Sequence, residues 1–227
     1  MKYLISLLWL FLMVSHPLEA KVKKPLPIQR IPPSRSLNPP IRKNQPSLIV
    51  LDPGHGGMDK GASSHGVDEK HPALQTALKA KQYLMQKGYR VILTRVTDVF
   101  IPLSKRASIA NQNRCKLFVS IHFNAAKSTN AKGIEVFYFN AKEPWRLQSS
   151  KKLATCLLHR LVAQTGARSR GVKTANFHVI RETNMPAVLV EGGFLTNPGE
   201  RTLLSDEKYL DRLAKALAEG IDRYYKS

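Results

Sequence analysis

From residue 48 onward, short apolar runs alternate with longer stretches of helical periodicity, and this alternation limits the chain to few folds. LIVLD (48–52), RVILT (90–94), LFVSI (117–121), IEVFYF (134–139) and AVLVE (187–191) have strand length and are rich in branched and aromatic residues. Helical patterns run near 72–87, 103–113, 147–165 and 206–225. Pro72 suits a first helical turn, and Gly88 stands where a helix is expected to stop. In the last pattern, Leu210, Leu213, Leu217 and Ile221 form one apolar stripe, which reads as core packing. Continuously apolar strands between helices predict an α/β fold with a largely parallel, doubly covered central sheet.

The residues from Ser47 onward number about 180, enough for one domain with a substantial core, so 47–227 is expected to be a single domain. The stretch before it reads differently. Residues 21–46 carry seven prolines, seven Lys or Arg and no acid, too little apolar surface to fold, and predict an extended basic linker. Residues 1–20 show Lys2, an apolar run from Tyr3 to Val14 and the ending PLEA, the pattern of a Sec-type signal peptide cut after Ala20. The run is too short to span a bilayer, so no stable membrane span is expected after cleavage. A periplasmic or otherwise exported protein follows.

The formal net charge of +20 favours anionic partners. Export and the lack of a recognised binding motif argue against nucleic acid, and an acidic surface or polymer fits better. Cys115 and Cys156 are too few for a disulfide scaffold, lack metal-site spacing and sit in apolar stretches, which predicts free thiols.

In open α/β sheets, ligands bind beyond the carboxyl ends of the strands. Three of the expected strands end in ionisable residues: LIVLDPGHGG delivers His55 on a Gly-rich turn, LFVSIHFNA delivers His122, and AVLVEGGF delivers Glu191. HGVDEKHPAL places Glu69 just ahead of a helix. Two imidazoles and a carboxylate form a donor set suited to Zn²⁺, with a fourth position open to water. Asp52 in DPG reads as turn chemistry. Which glutamate would bind metal and which would move protons is left open by the residues alone, and Glu135 is a third candidate.

Together, IVLDPGHGGMDKGA, GVDEK, VILTR, SKRASIAN, VSIHFNA and MPAVLVEGGFLTN resemble the zinc-dependent N-acetylmuramoyl-L-alanine amidases, over residues 48 to about 225. The resemblance implies a mixed six-stranded sheet flanked by helices. It implies hydrolysis of the amide between N-acetylmuramic acid and L-alanine in peptidoglycan, in cell-wall remodelling and daughter-cell separation. It assigns His55, Glu69 and His122 to Zn²⁺ and Glu191 to catalysis. Asn124 could orient substrate or cap a turn. Arg95 and Arg106 could meet acidic groups of the stem peptide or serve as structural ion pairs. His65, His71, His159 and His178 are expected to stand outside the site.

Family members switched by partner proteins carry a helical insert that plugs the zinc site. Here only NAKEPWRLQ separates an expected strand from the next helix, so an activator protein is not expected to be required. Two other readings share these residues: a zinc carboxypeptidase or endopeptidase on the stem peptide, alone or as a second activity, and a non-catalytic wall-binding module.

Overall fold

The computed structural model describes residues 46–227. The leader expected over 1–20 and the linker expected over 21–46, save Pro46, lie outside them. In chain order the elements are β1 (Leu48–Pro53), β2 (Ser63–Ser64), β3 (Val67–Asp68), α1 (Lys70–Gln86), β4 (Arg90–Leu93), α2 (Leu103–Gln112) and β5 (Leu117–Asn124). Then come β6 (Ile134–Tyr138), α3 (Pro144–Thr165), β7 (Ser169–Thr174), α4 (His178–Arg181), β8 (Ala187–Phe194), α5 (Pro198–Leu204) and α6 (Glu207–Lys226).

Six strands form one sheet in the order β4-β1-β5-β8-β6-β7. Every neighbouring pair is parallel except β6 with β8, so the sheet is mixed and largely parallel. The apolar runs lie where that order buries them: β1 and β5 are central, and Ile49, Val50, Leu51, Phe118 and Val119 are fully buried. Alternate residues of each strand face opposite sides. Ile49, Leu51, Val119, Ile121, Val136 and Val190 pack with α1, α3 and α6 in the larger core. On the other side, Val50, Phe118, Ala187 and Leu189 pack with Ala110 of α2 and Val179 and Ile180 of α4 in a smaller one.

Helix α1 buries Ala73, Ala77, Ala80 and Leu84, one stripe at helical spacing. It ends at Gly88, whose φ of +87° is a left-handed turn that favours glycine. There the Gly88 N–H donates to Met85 O and the Tyr89 N–H to Leu84 O, a double closure that satisfies two orphan carbonyls. The stripe of α6 packs on α3 and α1, with Leu210, Leu213, Leu217 and Ile221 all buried. A leucine buried this fully is worth about 2–5 kcal/mol against alanine. Among the described residues, no helix is long and apolar enough to cross a membrane. Cys115 is buried, Cys156 is half-buried, and both are free.

The smaller core stops short of the carboxyl ends of β1, β5 and β8. On that face the apolar residues give way to Asp52, Ser120, His122 and Glu191, with Glu135 of β6 paired across from Glu191. A polar row at the edge of an apolar layer is where the chemistry concentrates.

Candidate metal centre and active site

His55, Glu69 and His122 converge: one potential ligand atom from each lies within 4.8 Å of the others. Each arrives by a different local device. His55 sits just past β1 on the Gly-rich turn with φ of +58°, and Arg106 donates to its carbonyl at 2.6 Å. His122 lies inside β5, two residues before the strand ends, rather than at its terminus as expected. Glu69 is carried in by the small β2–β3 hairpin and set at the N-terminus of α1. That hairpin was not foreseen, although His65-Gly66, both at positive φ, is the two-residue turn that closes such a ribbon.

Glu69 is the hub. Its Oε1 lies 2.8 Å from His122 Nδ1 and accepts the Phe123 N–H at 3.0 Å. Its Oε2 lies 3.1 Å from His55 Nε2 and accepts the Ala62 N–H at 2.8 Å. On the far side of the ring, His55 Nδ1 is 2.9 Å from Asp59 Oδ2, which fixes the imidazole with Nε2 turned inward. The two rings stand edge to face, 4.9 Å between centroids. Gly54 leaves room for this: a Cβ there would lie 2.3 Å from His122 Cε1.

The electrostatics follow from the same contacts. Burial would raise the Glu69 pKa, but the hydrogen bonds and charges of His122 and His55 outweigh it and hold the carboxyl well below the usual range. Burial disfavours a charged His55, yet Glu69 and Asp59 together raise its pKa above that of a free imidazole. Glu191 is the opposite case. Burial, with the like charges of Glu69 and Glu135 added, pushes its pKa well above the ordinary value. Glu191 Oε2 is buried with no hydrogen-bond partner among the described residues. It lines a cavity of about 290 Å³ together with His55, Glu69, His122 and Asn124.

These residues fit a zinc ion. Two imidazoles and one carboxylate are a donor set suited to zinc, and a single ligand atom from each lies within 4.8 Å of the others. Glu191 is not one of the three, and its Oε2 has no hydrogen-bond partner among the described residues.

The remaining candidates take other places. Asn124 lines the cavity, accepts the Ala125 N–H through Oδ1 and donates Nδ2 to Glu135 Oε1 at 2.9 Å. Arg106 forms an ion pair with Asp52, whereas Arg95 makes no ion pair among the described residues and donates only to backbone carbonyls. Both are buried, and every guanidinium nitrogen is spent inside the fold. Arg95 donates to the carbonyls of Pro53, Gly54, Lys70 and Thr97. Arg106 donates to those of Pro53, His55 and Ile101 and to Asp52. Asp52 is correspondingly more than a turn former: fully buried in β1, it accepts from Arg106, Thr94 and Ser120. Its partners come from α2, from β5 and from the residue just past β4, which no local motif announces. His65, His71, His159 and His178 are outside the metal-ligand group. Asp59, missed in the sequence, was signalled by its position four residues after His55 in HGGMD.

The fold is a mixed, largely parallel α/β sheet that brings two histidines and a glutamate together as a group that could hold a metal ion. Residues 49–223 match the family described as N-acetylmuramoyl-L-alanine amidase, and the chain belongs to that family. It is 38% identical over 178 residues to N-acetylmuramoyl-L-alanine amidase LytC of Bacillus subtilis, covering 78% of this chain and 35% of that one. It is 34% identical over 223 residues to AmiC of Neisseria meningitidis, covering 81% of this chain and 54% of that one. The chain thus spans about a third and about half of these relatives. The crystal structure of an N-acetylmuramoyl-L-alanine amidase from Clostridium difficile 630 superposes with a TM-score of 0.77 at 41% identity, covering 81% of this chain and 98% of that one.

Proposed function

We propose that this protein is a zinc-dependent N-acetylmuramoyl-L-alanine amidase. It hydrolyses the amide joining the lactyl group of N-acetylmuramic acid to the first L-alanine of the peptidoglycan stem. The observation that carries this reading is the buried, partnerless Glu191 oxygen beside the convergent His55, Glu69 and His122 donors. Zinc held by those three would polarise the scissile carbonyl and acidify water. Asp59 keeps His55 Nε2 facing inward, and the backbone N–H groups of Ala62 and Phe123 keep both oxygens of Glu69 in place. Glu191 takes the proton of the attacking water at its free oxygen and returns it to the departing nitrogen. Burial and the like charges of Glu69 and Glu135 raise its pKa, which makes its carboxylate a stronger base than an ordinary glutamate.

The wider setting is proposed on the same footing. The leader exports the chain to the periplasm or an equivalent compartment, where it takes part in wall remodelling and daughter-cell separation. The basic linker tethers the domain to the acidic wall by charge. Residues 139–143 alone connect β6 to α3, too few for a plugging helix, which supports activity without an activator. The test is mass spectrometry of purified peptidoglycan digested by the zinc-loaded protein, with nothing else added. Sugar chains freed of peptide and stems with a new N-terminal alanine support the amidase. Cuts confined to the stem peptide would make it a peptidase instead.

A further inference from the structure

Next to Glu191 the sheet carries a charge arrangement that hydrolysis does not use. Glu135 on β6 pairs directly across from Glu191 on β8. Glu135 is buried, and its Oε2 meets two cations from the edge strand β7: Arg170 Nε at 3.1 Å and the Lys173 ammonium. One carboxylate faces two cations, so one positive charge is left uncompensated, and both cationic side chains are solvent-accessible, at 30% and 42% exposure. Lys173 also lies over the Phe137 ring, which stands edge to face with Phe177, a wall of the Glu191 cavity. Arg170 is braced over the ring of Phe194 at 4.7 Å. A rigid, half-open cationic pair on one side of the reacting centre is built to receive an anion.

Resting on the amidase reading, we propose that Arg170 and Lys173, held by Glu135, recognise a carboxylate on the peptide side of the scissile amide. The glycan side offers hydroxyls and acetylated amines, which carry no charge, whereas the stem peptide carries carboxylates. Reach agrees. The strands beside β8 place the cations about 5–10 Å from Glu191, at about 4.8 Å per strand. The α-carboxyl of the second stem residue lies about two residues of chain, roughly 7 Å, from the bond to be cut. The pair therefore orients the peptide along the direction from β8 to β7, and it discriminates an acidic second residue from an amidated one.

The experiment compares hydrolysis of N-acetylmuramoyl-L-alanyl-D-glutamate and its D-isoglutamine counterpart, which differ by a carboxylate against a carboxamide. Wild-type protein should favour the acid by about five- to tenfold in kcat/KM, mainly through KM, as expected of a half-exposed charge-assisted contact. The preference should shrink as salt rises. Lys173→Gln should remove most of it, and so should Arg170→Gln, since either leaves Glu135 with a single cation and no surplus charge. Equal use of both substrates by wild type, or a preference unchanged in both variants, overturns this inference and leaves the amidase intact. Hydrolysis of neither substrate would overturn the amidase reading with it.

Discussion

His122 of β5 and Glu191 of β8 are register partners on adjacent parallel strands, side by side on one face of the sheet. Strand spacing alone, about 4.8 Å, therefore sets a metal-ligand candidate beside the proposed proton carrier without any loop between them. Rigid elements hold such geometry more closely than loops do. The raised pKa of Glu191 and the lowered pKa of Glu69 are two outcomes of one neighbourhood, because Glu69 has two imidazoles to bond and Glu191 has none.

The position of His122 depends on the absence of one methyl group. Gly54 is pinned on both sides, donating to Ile121 O at 3.0 Å and accepting from Arg95 at 2.7 Å, so it cannot yield. Gly54→Ala should drive its Cβ into the His122 ring and lower zinc affinity about 10–100-fold, while overpacking costs about 1–3 kcal/mol. Competition against a chromogenic chelator measures the first effect. Unchanged affinity would mean that the His122 ring does not lie against Gly54.

Arg106 and Asp52 form an ion pair at 2.9 Å with both side chains almost wholly buried. Removing one partner strands the other charge in the core. Arg106→Met should destabilise the protein by about 3–5 kcal/mol in urea unfolding. Adding Asp52→Asn should recover part of the loss. A cost below about 1 kcal/mol would show that the pair is hydrated rather than buried.

Some of this was legible in the sequence and some was not, for identifiable reasons. The Gly88 stop, the stripe of α6 and the five apolar strands are local signals, and tertiary structure agrees with each. Strand β7, SRGVKT, has Val172 as its only large apolar residue and lies at a sheet edge. Its pairing with β6 makes it a strand, not its own propensity. Hence Arg170 and Lys173 gave no sign of converging on Glu135. The carbonyls of the Gly-rich turn draw donors from Arg95 and Arg106, both distant in sequence, which no local motif announces.

Glu135 gives a pH signature. Burial would raise its pKa, but the bonds and charges of Lys173 and Arg170 outweigh that and lower it. A carboxyl with a depressed folded pKa stabilises the fold above its unfolded pKa and loses that contribution as pH falls through the folded value. Glu135→Gln should therefore cost more stability at pH 7 than at pH 3 in parallel denaturation series. A pH-independent cost would show that the ion pairs contribute nothing.

The surplus of positive charge makes wall binding a salt-dependent process. Sedimentation with purified sacculi should weaken steadily as ionic strength rises and the Debye length falls from about 10 Å at 0.1 M to about 3 Å at 1 M. Deleting residues 21–46 should weaken it further at low salt. Binding insensitive to salt would point to a shape-specific contact instead.

The division of labour between ligands and proton carrier is tested most directly by Glu191→Gln, assayed for zinc content and turnover on the same preparation. The expected result is one zinc per chain, as in wild type, with turnover of muropeptides lowered about 10²–10⁴-fold, the usual scale for losing a general base. Turnover near wild type, or loss of the zinc itself, would contradict the assignment.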